Sequence, residues 1–338
     1  MKLSVVIPVH NGGEDLRKCL ESLMESERVP DELIIVDDAS TDGSAALAAR
    51  FGTVVTCQSP KPIGPARARN VGAARAQGDV LVFLDADVMV HSDTLAAVER
   101  HLAQGQDIDA LFGSYDDSPL HRNWVSLYKN LLHHFVHQQG QAEASSFWTG
   151  MGAIRRDVFL WIGGFAESYA RPSIEDIELG VRLKTAGYRI RLCADVQVTH
   201  LKRWDLGSLL RTDIFDRAIP WTRLIHSSSQ LPADLNLDWK SRTSALGVLG
   251  LLMFFLAGFW FPMAWIGVLV LTVSIIAINF PLYRFFARRG GLGFAGGAIL
   301  LHYFYFFYSS LAFVVVSIEY LLLKKNQKTS ASHSSMDQ

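Results

Sequence analysis

The chain has 338 residues, with 32 Lys and Arg against 33 Asp and Glu and a net charge of −1. That balance excludes a general basic field for nucleic acid. Three scattered cysteines, Cys19, Cys57 and Cys193, exclude a disulfide framework and a zinc-finger spacing and fit a reducing compartment.

The N-terminus enters a strand-like run at once, too short and too soon interrupted for a signal peptide. Leu3–Ile7 reads as a strand, Glu14–Glu25 as a helix, Leu33–Val36 as a strand and Ser44–Phe51 as a helix. Val54–Cys57, Pro65–Gln77 and Val80–Leu84 continue as short strand, helix and strand. This βαβαβαβ order predicts an α/β domain over residues 1–238, a mostly parallel sheet with helices on both faces. His91-Ser92-Asp93 opens a further helix. The helix Trp124–Gln138 is amphipathic, and lies either at a membrane surface or buried with a polar edge. His133 and His137 share one of its faces at i, i+4, but no third ligand follows at a zinc-like spacing.

No charged residue occurs from Ala245 to Tyr283, or from Leu292 to Ile318. A bilayer crossing needs about 20 apolar residues. Residues 244–323 are therefore expected to cross a membrane as three helices, about 245–261, 263–283 and 297–323, with a turn near Phe261-Pro262. Arg284, Arg288 and Arg289 lie between the apolar spans, and Lys324, Lys325 and Lys328 follow them. Three crossings cannot put both clusters on the cytoplasmic side; two crossings would need half of the first span to lie along the surface. The aromatic run Tyr303–Tyr308 could face lipid, a lipid substrate or a neighbouring helix. The polar residues 324–338 are expected to form a disordered tail.

Three strands end in polar residues at what should be one edge of the sheet, where open α/β sheets bind ligands. Pro8-Val9-His10-Asn11-Gly12 follows the first, Asp37-Asp38 ends the second, and Asp85-Ala86-Asp87 ends the fourth. Two carboxylates one residue apart suit a divalent cation that also holds phosphates, or else a capped turn. Asp37 and Asp38 could accept from a base N–H or ribose hydroxyls. No GxGxxG or GxxxxGK[ST] loop is present, so a bound diphosphate must be met by a cation and by side chains such as Arg67, Arg69 and Asn70.

Ser4–Gly12, Ile34–Ser44, Ala68–Gly72 and Phe83–Asp87, followed by Gly150–Arg156, Gly163–Glu167 and Glu175–Tyr188, closely resemble family 2 glycosyltransferases of the GT-A fold. The resemblance covers roughly residues 3–205 and rests on several motifs in the right order. It implies a nucleotide-sugar donor, usually UDP- or GDP-linked, and inversion at the anomeric centre. By position it makes Pro8, Asp38 and Asp85 contacts to the donor nucleoside; Val9, Asn11, Asp37, Arg69 and Asn70 are further candidates for donor binding at the same edge. It gives Asp87, with Asp85, to Mg²⁺ or Mn²⁺ and makes Asp176 the general base. His200-Leu201-Lys202-Arg203-Trp204 partly resembles the Gln-x-x-Arg-Trp element of processive synthases, with His in place of Gln. His200 could reach the cation, while Lys202, Arg203 and Trp204, with Glu175, are candidates for the diphosphate or the acceptor.

The chemistry asks for the same parts. Inverting transfer needs one carboxylate to take the acceptor's proton and one positive group to hold the departing diphosphate. Glu175 and Glu178 are alternatives to Asp176 for the base. A hydroxyl acceptor needs a base, whereas a polyprenyl phosphate is already ionised, so a lipid or lipid-linked hydroxyl is expected. The expected setting is the cytoplasmic face of the inner membrane, with several crossings. Polyprenyl-phosphate transfer, processive synthesis and non-catalytic nucleotide-sugar binding are the alternatives.

Overall fold

In this computed structural model, residues 1–57, 59–104, 108–228, 235 and 238–334 are described, with the backbone alone over 325–334. The chain divides into two compact units, Met1–Leu206 and Gly207–Gln338.

The first unit begins with β1 (Leu3–Val9), α1 (Gly13–Met24), β2 (Glu32–Asp37), α2 (Ser44–Ala48) and β3 (Thr53–Thr56). It continues with α3 (Pro65–Arg75), β4 (Val80–Leu84), β5 (Val88–Val90), α4 (Thr94–Gln104) and β6 (Ala110–Tyr115). Then come α5 (Trp124–Gln139), β7 (Glu143–Ala144), β8 (Met151–Arg155), α6 (Arg156–Trp161), α7 (Glu175–Thr185) and β9 (Ile190–His200). The sheet order is β3-β2-β1-β4-β8-β6-β9-β5, with β7 also on β9.

The four N-terminal strands β3, β2, β1 and β4 pair in parallel, as does β6 with β9. The remaining pairs, β4–β8, β6–β8, β5–β9 and β7–β9, are antiparallel. The expectation of a mostly parallel sheet thus holds for its first half, and the whole sheet is mixed. The chain passes from β6 through α5 and β7 and enters β8 from the loop ending at Gly150, and β8 runs against both neighbours. Its first residue, Met151, therefore pairs with the last of β4, Leu84, and brings the 145–150 loop to the acidic edge.

Helices cover both faces. Leu3, Val5, Ile7 and Val9 of β1 share a core with Leu16, Cys19, Leu20 and Leu23 of α1. On the opposite face α3 lies so close that a Cβ on Gly72 would come within 2.4 Å of Val6 Cγ1. Phe83 of β4 packs against Phe159 and Phe165 at ring-centroid distances of 5.2 and 5.0 Å. The α5 helix is the buried alternative, not a membrane-surface helix: Leu131, Tyr128 and Asn130 are inaccessible. His134 and His137 each donate Nδ1–H to a β6 carbonyl, Tyr115 at 2.7 Å and Gly113 at 2.9 Å. Those bonds clamp α5 to the sheet, and among the described residues no third donor joins His133 and His137 as a metal group.

Strand order reverses between β1 and β4, the switch point where such sheets open a crevice. Pairing of β1 with β4 stops at Val6 and Phe83, so Pro8 and Asp85 stand level just beyond it. Val9 O accepts from Asp38 N, which turns Val9 toward β2 and, by alternation, Pro8 toward β4. The N–H that would extend the ladder is the one proline lacks.

The second unit contains α8 (Leu206–Arg211, its first residue belonging to the first unit), a π-helical segment Thr212–Ala218, α9 (Ile219–Ser227), α10 (Trp239–Ala257), α11 (Ala264–Ile278) and α12 (Phe280–Ser334). Asp238 caps α10 by accepting from Ser241 N at 2.8 Å. The turn between α10 and α11 falls at Phe261-Pro262, as expected. Trp239–Ala257 and Phe280–Lys324 are long and apolar enough to cross a membrane. Only 11% and 22% of their most apolar windows are buried, unlike the core helix of a soluble protein. With 15 residues α11 is shorter than an ordinary crossing. Gly291, at φ 84°, breaks α12 ahead of the third expected span. The helical backbone then runs to Ser334, into the segment expected to be a disordered tail, because no Gly or Pro stops it. Residues 335–338, and the side chains of Lys325 and Lys328, lie outside the described set.

Gly180 of α7 sits on the 145–150 loop, where a Cβ would come within 2.4 Å of Phe147 N. Gly180→Ala should lower stability by about 1–3 kcal/mol. Gly293→Ala, which meets nothing within 4 Å, should leave it nearly unchanged. Thermal unfolding of the full chain in detergent separates the two.

Candidate functional site

Three elements converge on Arg69 of α3. Its guanidinium is 4% exposed, donates to Asp85 Oδ1 at 2.6 Å and to Glu175 Oε1 at 2.9 Å, and lies 5.6 Å from the Phe165 ring centroid. Glu175 is equally buried, and its second oxygen accepts from Ser173 N at 2.8 Å. This arginine was expected among the donor ligands. Instead it ties the end of β4 to the start of α7, and burial between two carboxylates leaves it no reach toward a phosphate.

The same contact separates the base candidates. Glu175 is held by Arg69, and Glu178 is held by Arg182 at 2.7 Å, which also grips the carbonyls of Ile162 and Gly164. Asp176 is only half-buried. Its Oδ1 accepts from Ile177 N at 2.8 Å and its Oδ2 from Thr149 N at 3.2 Å. Burial, and next the charge of Glu175, push its carboxyl up to about 7, against the pull of Arg69. A carboxylate poised near neutrality can take a proton and give it up again. Thr149 did not figure in the sequence reading; its position directly before Gly150 is the only sequence signal for it.

Asp87 and His200 face each other across the β5–β9 pairing. Asp87 Oδ2 lies 3.9 Å from His200 Nε2, and Asp87 O accepts from Leu201 N at 2.8 Å. The Asp87 carboxyl is pushed up to about 6 by burial and by Asp85, with Lys202 opposing. The carboxylate oxygens of Asp87 and Asp85 are hard donors of the kind that suits Mn²⁺ or Mg²⁺, with His200 beside Asp87, but among the described residues the three do not gather into one group of donor atoms. His200 is stacked on Tyr115, with ring centroids 4.2 Å apart at an interplanar angle of 14°. Lys202 Nζ lies 4.3 Å from the centroid of the Trp204 ring. Trp204 is buried and anchored by Ser126, which donates to and accepts from its backbone, whereas Arg203 is exposed.

The loops after β1 and β2 are laced together. Asn11 accepts from Thr41 N at 2.8 Å and donates its own N–H to Ser40 Oγ at 2.9 Å. Asn11 and Ala39 both hold positive φ, 53° and 58°. Both Asp38 oxygens are taken, by Ile63 N at 2.7 Å and Gly64 N at 2.9 Å. Asp37, 3% exposed, keeps Oδ1 without a hydrogen-bond partner. Of the adjacent acids, Asp37 therefore has the acceptor left open among the described residues, and Asp38 secures the backbone at Ile63 and Gly64. Val9 is buried, and Pro8 is partly open at the crevice. Asn70 bonds both the N–H and the carbonyl of Phe165 at 2.9 Å, which makes it a clamp on the 163–167 loop.

The family model for glycosyl transferase family 2 matches residues 4–161. The O-antigen chain rhamnosyltransferase WbaN of Salmonella anatum is 25% identical over 232 residues, 64% of this chain and 73% of its own. Glycosyltransferase GlyG of Streptococcus pneumoniae is 30% identical over 117 residues, a third of this chain and 38% of its own length. A mannosyltransferase from Pyrobaculum calidifontis, PcManGT, solved with GDP-Man and Mn²⁺, shares the fold at a TM-score of 0.59 and 18% identity. That match covers 95% of this chain and 87% of the other.

Removing Arg69 alone strands a buried carboxylate, so Arg69→Met should cost about 3–5 kcal/mol of stability. The double variant Arg69→Met, Glu175→Gln should recover part of the loss. Equal unfolding midpoints for the two variants would contradict the buried tie.

Proposed function

The chain carries a family 2 glycosyltransferase domain, and from that premise we propose that it moves a sugar from a UDP- or GDP-linked donor to a hydroxyl of a lipid or lipid-linked acceptor, with inversion. The observation that carries this reading is the division between neighbouring acids. Glu175 is locked to Arg69, while half-open Asp176 has its carboxyl raised to about 7. A phosphate acceptor would have no use for such a base.

In this reading the acceptor hydroxyl approaches Asp176, which takes its proton as oxygen attacks the anomeric carbon. Thr149 holds the carboxylate through Oδ2 and keeps it directed. Mg²⁺ or Mn²⁺, held by Asp87 with Asp85 and His200, would offset the charge of the departing diphosphate. Asp37 offers an acceptor to the donor base or ribose, and the partly open Pro8 lines the crevice. Lys202 and Arg203, both exposed, supply positive charge after β9 for the leaving group.

We place the enzyme in the inner membrane as a multi-pass protein with its catalytic unit in the cytoplasm. The two long apolar helices and the three free, buried cysteines support that setting. Relatives named O-antigen chain rhamnosyltransferases support a growing lipid-linked glycan of the cell envelope as the acceptor.

Transfer assays on the purified full chain, with a panel of nucleotide sugars and lipid-linked acceptors, should show activity lost on chelation and restored by Mn²⁺. Asp87→Ala should remain inactive while folded. Asp176→Asn should lower kcat by 10²-fold or more, on the order of what general-base removal costs; unimpaired transfer would overturn the hydroxyl-acceptor reading. Because the base must be ionised, kcat should fall as pH drops through about 7. Glu175→Gln removes a negative neighbour and should move that limb to lower pH.

A further inference from the structure

Away from the crevice, β9 contains a bulge. Phe112 pairs with Leu192 but Ser114 pairs with Gln197, so β9 carries extra residues between the two pairings. The bulge is a built feature: Val196 O passes so near Gly113 that a Cβ there would meet it at 2.1 Å. Gln138 Nε2 and Gln197 Nε2 both donate to Ala194 O, at 2.8 and 3.1 Å.

Bulges re-aim side chains, and this one presents Cys193 and Asp195 to His101 of α4. One donor atom from each of the three residues lies within 4.8 Å of the others. His101 Nε2 is 2.9 Å from both Asp195 oxygens. The Cys193 thiol lies at the floor, 3% exposed, and Asp195 at the rim, with 53% of its side chain open.

We propose that His101, Cys193 and Asp195 form a transition-metal site of the Zn²⁺ class, separate from the crevice at the β1–β4 switch point, with its fourth coordination position open to solvent. The donor set argues for the ion: thiolate and imidazole select Zn²⁺ and its neighbours over Mg²⁺ and Mn²⁺, which prefer oxygen. Three protein ligands with one vacancy form an exchangeable site rather than a closed structural one. The metal replaces the His101–Asp195 hydrogen bond: the Nε2 proton leaves through solvent, with Nδ1 keeping or taking up the ring's one proton, and the Cys193 proton leaves to solvent as the metal–sulfur bond forms. Arg100, 3.3 Å from Asp195 and half exposed, must swing outward. The bound ion then joins α4 to the β9 bulge.

The test is Co²⁺ titration of the purified, chelator-treated full chain in detergent, followed by near-ultraviolet absorption. A thiolate-to-cobalt charge-transfer band should saturate at a single equivalent, vanish on adding Zn²⁺ and survive excess Mg²⁺. Cys193→Ser should lose the band, whereas Cys57→Ser should keep it. His101→Gln and Asp195→Asn, whose side chains are more accessible, should retain the fold by circular dichroism and weaken Co²⁺ binding by roughly tenfold or more. No band in the folded wild-type protein, or an equal band in Cys193→Ser, would overturn the proposal.

Discussion

The site depends on one buried cation. Arg69 holds Asp85, 16 residues on, at one side and Glu175, 106 residues on, at the other. Without that positive charge the end of β4 and the start of α7 would bring carboxylates together in a poorly solvated space. With it, the acids acquire different tasks. Glu175 is paired, Asp85 is steadied at one oxygen, and Asp176 is held by the main-chain amides of Thr149 and Ile177. Charge cancellation inside a protein rarely adds much stability; here it also gives neighbouring acids different surroundings.

Much of the first unit was legible in advance. Val80–Leu84 occurs as read, and β1, β2 and β3 differ from the reading only at their ends, because each is a short apolar run bounded by polar residues. The antiparallel half of the sheet was not legible, since pairing between distant short strands leaves no local periodicity. Asp85, Asp87 and Asp176 stand out from motif and spacing as candidates. Arg69 and Asn70 could not be assigned that way: an arginine beside an asparagine has the same sequence signature whether it faces a phosphate or the interior. The difference between Asp37 and Asp38 has the same origin, because only folding decides which acid meets the Ile63 and Gly64 amides.

The antiparallel entry of β8 has a further effect. It brings Met151 level with β4's last residue and so carries Thr149, two residues earlier, just past the end of β4, where its N–H reaches Asp176. Asp176 is thus oriented by main chain that leads directly into the sheet, and α7 presses on that loop through Gly180. Orientation therefore rests on backbone packing and does not require a second ionisable group.

Pro8 gives the crevice a property of its own. Most gaps between parallel strands can shorten themselves by adding a rung, since each residue carries a donor and an acceptor. At this level β1 has no donor to offer β4, so the empty slot cannot heal by zipping closed. A ligand arriving there finds an opening already maintained by covalent structure and need not pry two strands apart. The ring of one proline acts as a permanent spacer, and some of the ordering cost of binding is met before any ligand is present.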